Sequence, residues 1–166
     1  MEYNQTRTIT RTALLLASTL ILQSLRLVLP LPPQTSMFLI GSLVNLCFVL
    51  AVLKIGWKSG LLIALVTPVF AYVEGMLPFL PFVFPVAAGN CTYIGACFIL
   101  KRWNILGLCV AACIKAAAMY LSFYFLFSLV AFPEMVRHMI LLVMSWPQSI
   151  TAIFGGIAAY VISKRI

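Results

Sequence analysis

The chain has 166 residues, of which 64% are hydrophobic and 8% are charged, and its mean hydropathy is +1.13. These values are typical of polytopic membrane proteins and exclude a water-soluble domain. The formal net charge of +8 would suggest a nucleic-acid partner in a soluble protein. Here the basic residues come in pairs between apolar runs and form no continuous face, so membrane topology explains them and no nucleic-acid partner is expected.

Apolar runs bounded by proline, glycine and charge clusters predict six membrane-spanning helices, each close to the ~20 residues that a bilayer demands. They lie near residues 12–29, 36–53, 59–77, 83–100, 105–130 and 146–163. Six spans place both termini on the same side of the membrane. The predicted fold is therefore an all-α polytopic membrane protein, in which residues 1–166 form a single six-helix domain.

The distribution of basic residues predicts which side the termini occupy. If the N-terminus is cytoplasmic, the outer segments hold only Arg26 and Arg137, and the inner segments hold eight basic residues. These eight are Arg7, Arg11, Lys54, Lys58, Lys101, Arg102, Lys164 and Arg165. By the positive-inside rule, both termini are predicted to be cytoplasmic.

The last outer connection, residues 133–145, has two interpretations. Residues 139–144 are apolar and could begin a kinked sixth helix. However, Ser145-Trp146-Pro147-Gln148 has the pattern of a capping box with proline in the first turn, which favours a helix start at that point. In that interpretation residues 133–144 form a short separate helix over the outer mouth.

Polar side chains that are costly in lipid recur within the predicted spans. Lys115 lies ~15 Å along the fifth span, near the middle of the membrane, where an ionisable group costs roughly 2.5–3.5 kcal/mol. Asn45 and Asn90 lie ~13 Å and ~10 Å below the outer ends of their spans, and Glu74 and Gln148 lie higher. Lys115 must therefore face a protein interior, a partner or a wet cavity.

Together with nearby aromatic residues, these side chains have the composition of a small-molecule site, in which a few placed polar groups interrupt an apolar wall. The predicted substrate-binding residues are Asn45, Glu74, Asn90, Lys115, Trp146 and Gln148. Two alternatives stay open. Either asparagine could form a helix–helix hydrogen bond instead, and Lys115 could pair with Glu74, the only acid within a span, rather than with an anionic ligand.

The sequence is poorly equipped for acid–base catalysis. Its only acids are Glu2, Glu74 and Glu134, its only histidine is His138, and it contains no HExxH, GxSxG or Walker motif. The five cysteines lie inside apolar runs and form no CxxC pair, so neither a zinc site nor a disulfide framework is indicated. We therefore expect neither an enzyme nor a bound metal or cofactor.

Ala13 and Ala17 stand four residues apart near the start of the first span, which places two small side chains on one helix face. Such a face lets another helix approach closely. Gly155 and Ala159 form a second pair of this kind in the sixth span. Either pair could pack inside the protein or against a partner, and for the second pair internal packing is favoured.

In these features the chain resembles the membrane-embedded substrate-binding subunit, or S component, of energy-coupling factor (ECF) transporters, which import vitamins and micronutrients in prokaryotes. The resemblance covers nearly the whole chain. It rests on the order and spacing of Ala13-x-x-x-Ala17, Gly41-Ser42-Leu43-Val44-Asn45, Gly56-Trp57-Lys58-Ser59-Gly60, Gly75-Met76-Leu77-Pro78-Phe79-Leu80-Pro81, Gly89-Asn90 and Trp146-Pro147-Gln148.

The resemblance implies a subunit of the prokaryotic cell membrane that binds a small water-soluble vitamin or related micronutrient at the outer face, under the first and third loops, and delivers it inward. It also implies as partners a transmembrane coupling subunit, which would contact Ala13 and Ala17, and two ATPase subunits. The chain itself would not hydrolyse ATP. No complete motif identifies one vitamin, so the substrate stays open.

Two other interpretations belong to different classes of protein. One is a non-transporting scaffold subunit, similar to the small membrane protein of rod-shape cell-wall elongation. The other is a small secondary transporter, which would need a coupling-ion pathway and more acids within its spans than Glu74 alone.

Overall fold

Every regular element in the described part of the chain is a helix. A computed structural model describes residues 2–165, and the side chains of residues 5–165; residues 1 and 166 of the predicted domain lie outside this description. The α-helices are α1 (Glu2–Val28), α2 (Pro33–Lys54), α3 (Trp57–Val73), α4 (Val83–Leu100), α5 (Asn104–Leu129), α6 (Glu134–Val143) and α7 (Trp146–Ser163). The prediction of an all-helical chain is confirmed.

Four segments of the described chain are long and apolar enough to cross a membrane. They are Gln5–Val28, Pro33–Lys54, Leu80–Leu129 and Glu134–Ser163. The third contains both α4 and α5, which are separated by a 3-10 turn at Lys101–Trp103. Between the second and third lies α3, a shorter apolar helix of 17 residues. These helices indicate a membrane protein.

Contacts between the helices define two ends of the bundle. Thr12 of α1 donates a hydrogen bond to Ser59 at the start of α3, with 2.8 Å between the two hydroxyl oxygens. The rings of Trp57 and Phe98 lie 6.2 Å apart, which brings the α2–α3 and α4–α5 turns together. We call this the basic end, because these turns and the start of α1 are rich in lysine and arginine. The α1–α2 and α3–α4 connections lie at the opposite, loop end.

Helices α2 and α7 pack closely together. A Cβ atom added at Gly155 of α7 would lie 2.7 Å from the Leu46 backbone nitrogen and 2.8 Å from the Asn45 Cβ atom, both on α2. Ala159, one turn further along α7, is fully buried. The Gly155 and Ala159 pair therefore packs inside the protein, as the sequence favours, and lets the two helices approach closely.

An aromatic cluster joins the 3-10 turn before α4 (Leu80–Phe82), helix α5 and the segment before α6. The ring of Phe82 lies 5.4 Å from that of Phe123, 6.1 Å from that of Phe127 and 5.7 Å from that of Phe132, in edge-to-face or tilted arrangements that aromatic rings prefer. Leu141 of α6 is buried in the same cluster. The cluster therefore holds α6 against the loop end of the bundle.

The turn between α6 and α7 has the predicted break but not the predicted cap. Because α6 ends at Val143 and α7 begins at Trp146, the break at Ser145 is confirmed, and the kinked-helix interpretation is wrong. The capping box is also wrong: the Ser145 hydroxyl makes no bond at the start of α7 and donates instead to the Leu142 carbonyl at 2.9 Å. The Ser145 hydroxyl therefore serves the end of α6, and only the Ser145 backbone carbonyl, which accepts from Gln148 N at 3.1 Å, takes part in the start of α7.

We expect Gly155→Ala to lower the free energy of unfolding of the purified protein by about 1–3 kcal/mol, because the new methyl group would force α2 and α7 apart. Gly95→Ala in α4 is the matched control, since a Cβ atom at that position meets nothing within 4 Å. That change should be neutral or stabilise the protein by up to ~1 kcal/mol through helix propensity. Thermal unfolding in detergent measures both variants, and equal melting temperatures would contradict this packing.

Candidate functional site

A cavity of about 320 Å³ lies in the loop-end half of the bundle, within the range of roughly 300–1,000 Å³ found for ligand sites. Most of its wall is apolar, and all the helices contribute to it except for the body of α6, whose last residue Val143 reaches the rim. The polar and charged lining residues are Gln23, Arg26, Ser36, Asn45, Thr67, Asn90, Lys115, Gln148 and Thr151.

Lys115 lines the deepest part of this cavity and is only 3% exposed. Its Nζ atom donates a hydrogen bond to Asn45 Oδ1 at 2.7 Å. The same atom lies 5.3 Å from the ring centre of Tyr93 and 5.7 Å from that of Phe48, within the range of cation–π attraction. An ammonium group has three N–H donors, so Lys115 keeps donors for a further acceptor in the cavity.

Asn45 connects Lys115 to α7. Its Nδ2 atom donates to Thr151 Oγ1 at 3.2 Å, and that hydroxyl donates to the backbone carbonyl of Gln148 at 3.1 Å. Because the amide nitrogen is bonded to α7, the amide oxygen is left to accept from the ammonium group. This chain of hydrogen bonds fixes the charged atom at the cavity wall.

Three other lining side chains carry polar atoms that the protein leaves largely unused. Ser36 Oγ is buried and has no hydrogen-bond partner among the described residues. The buried Asn90 amide makes no hydrogen bond to the described part of the chain, and the Gln148 amide nitrogen reaches only the Met144 sulfur at 3.9 Å. Buried polar groups are nearly always hydrogen-bonded in native proteins, so these atoms are suited to bind a ligand or water.

Of the six substrate-binding residues predicted from the sequence, the structure brings Asn45, Asn90, Lys115 and Gln148 to this cavity but not Glu74 or Trp146. The Trp146 ring is more than half exposed and lies 6.4 Å from the ring of Phe38. A separate cleft, which Arg137 and Tyr124 also line, contains Trp146.

Glu74 is bonded to α1 instead. Its carboxylate accepts a hydrogen bond from the Ser24 hydroxyl at 2.5 Å and a longer one from Gln23 Nε2 at 3.4 Å. Lys115 and Glu74 thus have different partners, and the hydrogen bonds described for them do not join the two residues. The Lys115–Glu74 pair that the sequence left open does not form in this structure.

Several residues that line the cavity were not predicted from the sequence to be site residues. Gln23 and Arg26 stand three residues apart and so share a face of α1, a spacing that could have identified them together. Thr67 and Thr151 carried no signal, because a threonine within an apolar helix usually bonds to its own backbone. Thr67 does so here, donating to the Ile63 carbonyl at 3.0 Å.

Ala13 and Ala17 lie away from the cavity, in the half of α1 nearer the basic end. Both are exposed, whereas Thr12 and Thr19 on the opposite side of α1 are buried. The small-residue face of α1 therefore points away from the bundle and does not take part in internal packing.

One comparison with known proteins gives a match. A family model described as the ECF transporter, substrate-specific component, matches residues 7–166, which include every residue that lines the cavity. No curated protein and no solved structure matches the chain.

We expect Lys115→Met and Asn45→Leu to be coupled by more than ~0.5 kcal/mol in the stability of the ligand-free protein, because the two side chains share a hydrogen bond. Lys115→Met and Glu74→Gln should instead be additive within ~0.5 kcal/mol, because these side chains have separate partners. Unfolding of the three single and two double variants in detergent measures both couplings. Coupling to Glu74 with none to Asn45 would contradict the geometry.

Proposed function

The chain belongs to the family of ECF transporter substrate-specific components, and on this basis we propose that its cavity captures a small water-soluble vitamin or related micronutrient through an anionic group. Members of this family are transport-binding proteins rather than enzymes, and they associate with an ECF transmembrane and ATPase module. In our proposal that module consists of one transmembrane coupling subunit and two ATPase subunits, which supply the energy for inward delivery.

In the proposed topology all helices except α6 cross the membrane. With 10 residues, α6 is ~15 Å long, too short for a hydrocarbon core of ~30 Å, whereas the 17 residues of α3 reach the lower limit for a span. Six crossings place both termini on one side, and the positive-inside rule assigns the basic end to the cytoplasm. The cavity then lies in the outer half of the prokaryotic cell membrane, with α6 at its outer rim.

The observation that carries the proposal is the charge of the cavity wall. Lys115 and Arg26 line it, and no aspartate or glutamate of the described chain does. An anion 4 Å from the Lys115 ammonium gains about 4 kcal/mol at an effective dielectric constant of ~20, before ligand desolvation is subtracted. This gross gain is of the same order as the roughly 2.5–3.5 kcal/mol that a mid-membrane lysine costs, so a bound anion would offset part of that cost.

The alternatives considered from the sequence receive less support. A scaffold subunit has no need of a cavity with unused polar atoms around a buried ammonium group. A secondary transporter needs acids that bind a coupling ion within the membrane, and the carboxylate of Glu74 is instead bonded to Ser24 and Gln23.

We assign contact with the coupling subunit to Ala13 and Ala17. Their side chains are exposed on one face of α1, and small side chains allow the backbone of a partner helix to come close in a membrane. They also lie well below the cavity, in the half of the bundle nearer the cytoplasm. Substrate capture and coupling would therefore occupy separate parts of the protein.

We expect Ala13→Trp and Ala17→Trp each to abolish uptake in cells that contain the ECF module, because a bulky ring would bar close helix approach. The purified variants should still carry the small molecule that copurifies with the unaltered protein. Leu106→Trp is the matched control: Leu106 is exposed on α5 at the basic end, and its replacement should leave uptake intact. Capture of the coupling subunit and radiolabelled uptake measure the effect.

Two outcomes would overturn this proposal. Capture of the coupling subunit by both alanine variants at the level of the unaltered chain would remove the assigned interface. If uptake by cells depends on this chain, but the protein purified from those cells carries no small molecule, the cavity has no role in capture.

A further inference from the structure

The cavity has a cationic side chain near each end. Lys115 lies at the deep end, bonded to Asn45. Arg26 lies in the last turn of α1 at the loop end, and the described residues offer its guanidinium no hydrogen bond or ion pair. The hydrogen bonds described for the Glu74 carboxylate come from Ser24 and Gln23 and not from Arg26. The arginine is therefore available to a ligand.

The two cations lie at different depths. Arg26 is in the last turn of α1 and Ser36 is in the first turn of α2; a short connection joins these turns, which places the two residues at a similar level. From Ser36 to Asn45 the rise along α2 is ~13 Å. Because Lys115 Nζ is held at Asn45 and a long arginine side chain can shorten the remaining distance, two anionic groups bound at the two ends would be roughly 8–12 Å apart.

The wall between the two levels is mostly apolar. Ile40, Val44 and Met119 line it, and no carboxylate of the described chain does. The Asn90 amide also lies at this depth, beside Gly89, which packs against Met119. A ligand that spans both ends would therefore cross a largely apolar stretch, where burial of hydrocarbon is favourable.

Ser36 adds an independent observation at the Arg26 level. Its side chain is 2% exposed, it lines the cavity, and its hydroxyl oxygen has no partner among the described residues. A buried hydroxyl without a partner is costly, and an acidic group bound by Arg26 would supply the acceptor it lacks. Charge and hydrogen-bond capacity thus point to the same kind of group at this end.

Building on the proposed capture function, we infer that the site takes an elongated dianion: a molecule with two acidic groups roughly 8–12 Å apart and a mainly apolar middle. Lys115 binds the deep acidic group, with Asn45 orienting the ammonium. Arg26 and the Ser36 hydroxyl bind the outer one. A ligand with one acidic group would use only one of the two cations, because Arg26, unlike Lys115, is exposed at the mouth of the cavity.

The test uses purified protein freed of copurified compounds and a series of linear α,ω-dicarboxylates from butanedioate to dodecanedioate, each paired with its monomethyl ester. The ester keeps the length and apolar middle and removes one charge. Calorimetric titration in detergent should show affinity highest near octanedioate to decanedioate. The corresponding ester should bind at least roughly tenfold more weakly, as expected for the loss of a charge-assisted hydrogen bond.

Variants assign the two ends. Arg26→Gln should abolish the preference for the diacid, so that diacid and ester bind alike, while Lys115→Met should weaken both. Arg137→Gln is the matched control, because Arg137 is the other arginine predicted for the outer segments and its guanidinium lies 5.3 Å from the Tyr124 ring centre, outside this cavity. That variant should keep the full preference for the diacid.

Three outcomes would overturn the dianion inference: equal binding of diacid and ester, a diacid preference that survives Arg26→Gln, or no binding of any diacid in the series. All three leave the proposed capture function standing, because it depends on copurification of a small molecule and on uptake. If the proposed capture function is wrong, copurification and uptake will fail, whatever the diacid titrations show.

Discussion

A buried ammonium group is the constraint on which the rest of this bundle depends. Lys115 is stabilised by a 2.7 Å hydrogen bond from its Nζ atom to Asn45 and by the ring faces of Tyr93 and Phe48. Asn45 is itself bonded to α7 through Thr151. Since α7 can approach α2 this closely only because Gly155 has no side chain, the position of the charge and the packing of these two helices are linked.

The sequence predicts the helices well, because hydropathy and breaker residues act locally. The predicted span 146–163 coincides with α7, and the break before it follows from Pro147 in the first turn. Depth along a helix is also predictable, since the rise per residue is constant. For this reason Asn45, Asn90 and Lys115, which were placed at similar depths, do meet in one cavity. Their role in substrate binding stays a prediction.

What the sequence could not predict is the rotation of each helix about its axis and the choice of neighbours. Glu74 has the expected depth, but its side chain is bonded to α1, where Ser24 and Gln23 offer donors. The sequence predicts only that Arg26 lies in an outer segment. Its position at the cavity depends on how α1 packs in the structure. The cap at Ser145 failed because the Leu142 carbonyl competes for its hydroxyl, and spacing alone does not reveal such competition.

Native mass spectrometry of the purified protein, released gently from detergent, tests most directly whether Lys115 is the counter-charge of a captured ligand. The account predicts a bound acidic compound on the unaltered protein and on Glu74→Gln, and none on Lys115→Met expressed and purified alongside, although all three remain folded. A Lys115→Met protein that retains the same compound at the same occupancy would contradict it.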